Sequence, residues 1–215
     1  MTVNRLVLIR TGETDWNQQG RWQGWVANPL NAHGREQVQA LGRYVRHIGM
    51  AALYSSDLRR AVETAELLAQ DLGFAPTLDA RWRERDIGRW QGMTADEIRS
   101  WYSAEFEQLH ADPDGFRAPG GESRGDVRRR VLAAIDDILA QNRGETVGVV
   151  THSTATRALL DALAPGHELA GVVIGNSSVT TLAREGSIWR LVASNDCAHL
   201  EGLATASVRE LEADS

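Results

Sequence analysis

The sequence contains no lysine: all 23 of its basic residues are arginine. A Walker-type nucleotide loop needs its lysine, so that class is excluded. Any phosphate site must be built from guanidinium groups, which stay charged and bind phosphate oxygens two at a time. Cysteine occurs once, at Cys197. That rules out an intrachain disulfide or a cysteine-rich metal site and makes a reducing cytoplasm the expected compartment. No apolar run approaches the roughly 18 residues of a membrane span. The opening Met1-Thr-Val-Asn-Arg5 passes straight into a strand-like run with no leader pattern. Basic residues are also in deficit, 23 against 29 acidic, for a net charge of −6. That balance argues against nucleic acid or an acidic membrane as a partner.

What remains is ordinary globular material: 215 residues, 42% hydrophobic and 24% charged, enough for a core without staples. Arg5 to Ile9 reads as a buried parallel strand. Residues 18–33 lack periodicity and read as a long ordered loop. Val38, Leu41, Val45 and Ile48 mark one face of a helix from Gly34 to Ile48, ended by Gly49. Ala51 to Tyr54 is a second strand, and Ser56-Asp57 is expected to cap a helix from about Leu58 to Asp71. Pro76 to Leu78 gives a third strand, and short helices are expected near 94–101 and 103–110. A long helix is expected from about Ser123 to Asn142, a strand from Thr146 to Thr151, and a helix from Ser153 to Ala162. Ser177–Ala183 and Ile188–Ser194 form a closing hairpin around Glu185-Gly186-Ser187. The fold class is α/β: three layers, α/β/α, with a mostly parallel central sheet. Residues 1–215 form a single domain, with an insertion over the active site at about 80–125 and an acidic tail at about 204–215.

Ligands of such sheets collect at the carboxyl ends of the strands. Arg10-Thr11-Gly12 and Thr151-His152-Ser153 both lie there. With Arg60 and Glu84 they supply two guanidinium groups, an imidazole and a carboxyl group. Phosphoryl transfer needs cations for the equatorial oxygens and an acid for the leaving oxygen. Arg10, Arg60 and His152 suit the first task and Glu84 the second. Each residue also has a plainer reading: a solvated arginine, a structural histidine, and for Glu84 a surface salt-bridge cluster within Arg81 to Asp86. A rival motif, Gly121-Glu-Ser123-Arg-Gly125, matches the nucleophile elbow of serine hydrolases, with Asp196 and His199 following in order. It needs a strand immediately before it, and Phe116-Arg-Ala-Pro-Gly120 cannot be one. Ser123 reads better as a helix cap.

Several segments, in order, resemble the histidine phosphatase superfamily of phosphoglycerate mutase-like proteins. They are Leu8-Ile9-Arg10-Thr11-Gly12-Glu13-Thr14-Asp15-Trp16-Asn17, Ser55-Ser-Asp-Leu-Arg-Arg60, Arg83-Glu84 to Gly92, Pro119-Gly-Gly-Glu-Ser123 and Val149-Val-Thr-His152. The resemblance covers about residues 4–200. It implies that Arg10, Arg60 and His152 bind the phosphoryl group and that Asn17 assists from the first loop. Gln23 would contact substrate and Glu84 donate the proton. The Pro-Gly-Gly-Glu-Ser segment points to the phosphatase branch. The expected ligand is phosphate or a small phosphorylated metabolite, with no metal and no organic cofactor, and a homodimer is left open. The aromatics Trp22, Trp25, Trp90 and Trp101 either line the mouth of the site or pack the insertion.

Two positions depart from the family. Its nucleophile is the histidine after the first arginine, and here that place holds Thr11. A threonine hydroxyl is a poor nucleophile without an adjacent base. Ser153-Thr154 stand where the family has small, glycine-rich sequence, so Ser153 is a candidate pocket donor. Three readings of Thr11 stay open. It is a substitution made to trap substrate in an ordinary phosphatase, the mark of a phosphate-binding pseudoenzyme, or part of a site turned to another reaction on an anionic substrate.

Overall fold

The computed structural model describes residues 4–142, 145–165 and 173–203. The strands are β1 (Arg5–Arg10), β2 (Met50–Ser55), β3 (Thr77–Leu78), β4 (Thr146–Thr151), β5 (Val179–Glu185) and β6 (Ile188–Asp196). The helices are α1 (Asp15–Gln18), α2 (Ala32–Val45), α3 (Arg59–Leu72), α4 (Ala95–Trp101), α5 (Ser103–Ala111), α6 (Arg124–Gln141) and α7 (Ser153–Leu163). The sheet order is β3-β2-β4-β1-β5-β6. Strands β1 to β4 pair in parallel, while β5 and β6 add an antiparallel edge.

The centre of the sheet is β1, whose side chains divide between its two faces by the period of a strand. Leu6 and Leu8 pack with Val127, Val131 and Ile135 of α6 and Leu159 of α7. Val7 and Ile9 pack with Val38 and Leu41 of α2 and Ala65 and Leu68 of α3. All four β1 side chains are buried, each stabilising the fold by about 1.5–3 kcal/mol. That is the three-layer arrangement expected. A third cluster, with Ile87, Trp90, Ile98, Phe106 and Phe116, lies within the expected insertion.

The differences from the sequence reading are local. Helix α2 begins at Ala32, because Asn31 caps it by accepting from Gly34 N at 2.7 Å. The expected cap of α3 is displaced. Leu58 is its N-cap with no side-chain cap bond, and Ser56 Oγ instead accepts from Leu58 N at 3.3 Å. Strand β3 shrinks to two residues because Pro76 has no N–H to give a ladder. Helix α1 falls where only loop was expected, with a Thr14–Asn17 capping box as its signal. Strand β5 starts at Val179, since Ser177 has a left-handed φ of 57° that no strand accepts. Ser123 caps α6 as expected, sharing a capping box with Asp126. The acidic tail lies outside the described residues.

Candidate active site

Register builds the site. Arg10 pairs with Thr151 across β1 and β4, so the residues that follow, Thr11 and His152, emerge side by side. Thr11 is held through its backbone. Its N–H donates to Thr151 O at 3.1 Å, and its carbonyl accepts from Ser177 N at 3.0 Å and Asn176 Nδ2 at 3.2 Å. Gly12 N donates to Thr64 Oγ1 at 3.2 Å on α3. Glu13 ties the loop to α2: its N–H reaches Gln37 Oε1 at 3.1 Å, and its Oε1 accepts from Asn31 Nδ2 at 2.8 Å. Position 34 must be glycine here, because a Cβ would sit 2.1 Å from Glu13 O.

The two arginines arrive from different elements and both are buried, Arg10 at 5% exposure and Arg60 at 3%. Arg10 ends β1, and its Nη1 donates to Ile174 O. Arg60 stands in the first turn of α3 and donates to Gly24 O at 2.9 Å and Val26 O at 3.2 Å. Burial pulls the Arg60 guanidinium down to about 10; the Glu84 carboxylate opposes this and the charge of Arg10 adds to it. The imidazole of His152 is held well below its ordinary range by burial and by the charges of Arg60, Arg10 and Arg130. It is therefore neutral near pH 7, with Nε2 lying 2.9 Å from Ser56 Oγ.

Glu84 rides on an extended segment whose carbonyls are bound by side chains rather than by a neighbouring strand. Arg130 donates to the carbonyls of Arg81, Arg83 and Glu84 at 2.8, 2.6 and 2.9 Å. Its remaining donors pair with Glu122. Trp25 Nε1 also reaches Glu84 O, at 2.6 Å. Thr151 Oγ1 holds Trp82 O at 2.8 Å. The Glu84 carboxylate accepts from Arg85 N at 2.7 Å, and from Ser153 Oγ and Thr154 N at 3.2 Å each. Ser153 is thus engaged with Glu84. Arg83 is bound to Asp57 by two 2.6 Å contacts and stacks over Trp25.

Asn17 Oδ1 accepts from Thr14 N, Thr14 Oγ1 and Asn176 Nδ2 at 3.0–3.3 Å, which leaves the amide nitrogen as its donor end. Gln23 is half-buried, and its Oε1 accepts from Asn28 Nδ2 at 3.3 Å. The aromatics divide. Trp90 is fully buried in the insertion core with Trp22 edge-on against it, whereas Trp101 is 78% exposed. Asp196 binds Tyr44 Oη at 2.6 Å and Ser123 binds Asp126, so the serine-hydrolase motif assembles nothing. Sequence reasoning missed Ser56, Asn176 and Arg130, which contact the site residues from outside the matched motifs or from inconspicuous positions within them, and Glu122, which holds Arg130.

The sequence profile of the histidine phosphatase superfamily (branch 1) matches residues 6–197. The chain belongs to this superfamily. Among its relatives, a probable phosphoglycerate mutase GpmB of Salmonella paratyphi B is 31% identical over 207 residues, 93% of this chain and 96% of that protein. The Bacillus stearothermophilus protein YhfR superposes with a TM-score of 0.82 at 34% identity, over 91% of this chain and 98% of its own. A mycobacterial glucosyl-3-phosphoglycerate phosphatase, solved with inorganic phosphate, superposes with a TM-score of 0.80 at 32% identity, covering 92% and 99%. Among the described residues no helix is long and apolar enough to cross a membrane.

The neutral His152 carries a pH consequence. Its folded value lies below the ordinary value of about 6.5, so the unfolded chain binds a proton first as the solution is acidified. Stability should be unaffected by this group above that value. It should fall below it by up to about 1.4 kcal/mol per pH unit. His199, also shifted down by burial, adds with the same sign. Denaturant midpoints between pH 5 and 8 in phosphate-free buffer check this, and His152→Gln should flatten the slope.

Proposed function

We propose that the chain binds the phosphoryl group of a small phosphorylated metabolite between Arg10, Arg60 and His152. Asn17 assists from α1, Gln23 stands toward the substrate's remainder, and Glu84 is the proton donor to the leaving oxygen. The reaction class is phosphate-monoester hydrolysis in the cytoplasm, impaired by Thr11 in the nucleophile's position. Binding is the property this chain retains most fully, and Ser153 serves it indirectly, through Glu84. In the limit of no turnover the chain is a phospholigand-binding pseudoenzyme.

The observation that carries this reading is Arg60. It is a nearly fully buried cation beside a second buried cation, and it donates to backbone carbonyls rather than to a carboxylate. Burying such a charge is costly unless it is paired, and the depressed value of Arg60 registers that cost. A phosphate dianion relieves it with charge-assisted hydrogen bonds. The relative solved with inorganic phosphate supports the same choice of ligand.

The test is calorimetric titration of the chain with inorganic phosphate at pH 7. Saturable binding at micromolar to millimolar concentration is expected, together with a rise in Tm that grows with phosphate. A folded chain giving neither heat nor stabilisation would refute the reading.

A further inference from the structure

Ser56 follows β2 and is fully buried. Its backbone N–H donates to Val150 O at 2.9 Å, continuing the β2–β4 pairing by one residue. Its Oγ accepts from Leu58 N at 3.3 Å and lies 2.9 Å from His152 Nε2. His152 occupies the N-cap position of α7, yet its side chain makes no cap bond there. The ring is therefore held by Ser56 on one side, and its other nitrogen, Nδ1, is not spent on the helix.

A neutral imidazole carries one ring proton, and the position of that proton decides what the residue does. Ser56 has one hydroxyl proton and two lone pairs. Leu58 N–H takes one lone pair. If His152 carried its proton on Nε2, it would take the second, and the Ser56 proton would be left without an acceptor in a buried place. Buried polar groups left in that state are rare because they are costly. If Ser56 O–H donates to Nε2 instead, all three groups are satisfied.

We infer that Ser56 is a positioning residue that fixes His152 as the Nδ1–H tautomer, so that His152 meets a phosphoryl group as a neutral hydrogen-bond donor and not as a base. The inference rests on the phosphate-site reading above and sharpens it. Four donors then face the phosphoryl oxygens: the Arg10 and Arg60 guanidinium groups, the Asn17 amide and His152 Nδ1–H. A phosphate dianion, which only accepts, fits that set. The same arrangement deprives Thr11 of a base, since Nδ1 already carries a proton and the Nε2 lone pair is occupied by Ser56. One buried serine thereby favours phosphate binding and leaves Thr11 without a base.

The experiment is long-range ¹H–¹⁵N correlation of the histidine rings in the unaltered chain, Ser56→Ala and Ser56→Thr, with inorganic phosphate titrated into each. The Nδ1–H tautomer is expected in the unaltered chain. Ser56→Ala should show mixed tautomers and about tenfold weaker phosphate binding, and Ser56→Thr, which keeps the hydroxyl, should restore both. An Nε2–H tautomer in the unaltered chain overturns the inference. So does an alanine variant with unchanged tautomer and affinity. If Ser56→Ala fails to fold, the spectrum of the unaltered chain alone decides. An unaltered chain with the Nδ1–H tautomer but no phosphate binding would leave the assignment of Ser56 standing and refute the phosphate-site reading.

Discussion

Replacing Thr11 with histidine is expected to raise the hydrolysis of a generic aryl phosphate by at least about 10³-fold, the scale on which enzymes respond to loss of a nucleophile. An imidazole nitrogen is largely neutral near pH 7 and can attack phosphorus directly. In that step a nitrogen–phosphorus bond forms, the ester oxygen–phosphorus bond breaks, and Glu84 protonates the departing oxygen. Water then releases phosphate. On the proposed reading, the unaltered chain lacks only the first of these capacities. The backbone at position 11 is held by Thr151 O, Ser177 N and Asn176 Nδ2, so a new side chain there is carried on an anchored main chain. A folded Thr11→His variant with no added activity would refute the phosphatase reading. An unaltered chain turning over at about 1–10³ s⁻¹, the usual enzyme range, would show that position 11 does not limit it.

The second large effect concerns Arg60. Substituting it as Arg60→Gln should weaken phosphate binding by about 100-fold, or about 3 kcal/mol, the scale for removing one partner of a desolvated charge pair. Fold stability without phosphate should not fall by a comparable amount. The buried cation at 3% exposure costs stability without phosphate, and glutamine removes that charge while keeping an amide donor at the position. Calorimetry and denaturant unfolding on the same variant separate the two quantities. If stability and binding fell together, Arg60 would be a fastener of the loop at residues 24–26 and not an anion ligand.

Much of the architecture was legible because local signals are strong where burial is strong. The apolar run Leu6 to Ile9 announces a central strand, and Ser123 announces the start of α6. The site was legible as a set of residue types but not as a place. Nothing local shows that Arg10 and Thr151 are in register across 140 intervening positions, since parallel pairing is nonlocal. The supporting residues were illegible for the same reason. Arg130 looks like one arginine among four on α6, yet it holds three carbonyls of the Glu84 segment. Ser56 looks like a helix cap, yet the helix starts later and the hydroxyl serves His152 instead. Ser153 looked like a pocket donor from its neighbourhood, and only the folded chain shows its hydroxyl directed at Glu84.

The central claim is that Arg10, Arg60 and His152 form one anion site. The most direct measurement is a crystal structure of the chain grown with inorganic phosphate or orthovanadate. The account predicts tetrahedral or trigonal-bipyramidal density bridging both guanidinium groups, within hydrogen-bond distance of His152 Nδ1 and Asn17 Nδ2. Clear density for these side chains in a saturated crystal, with no anion between them, would contradict it.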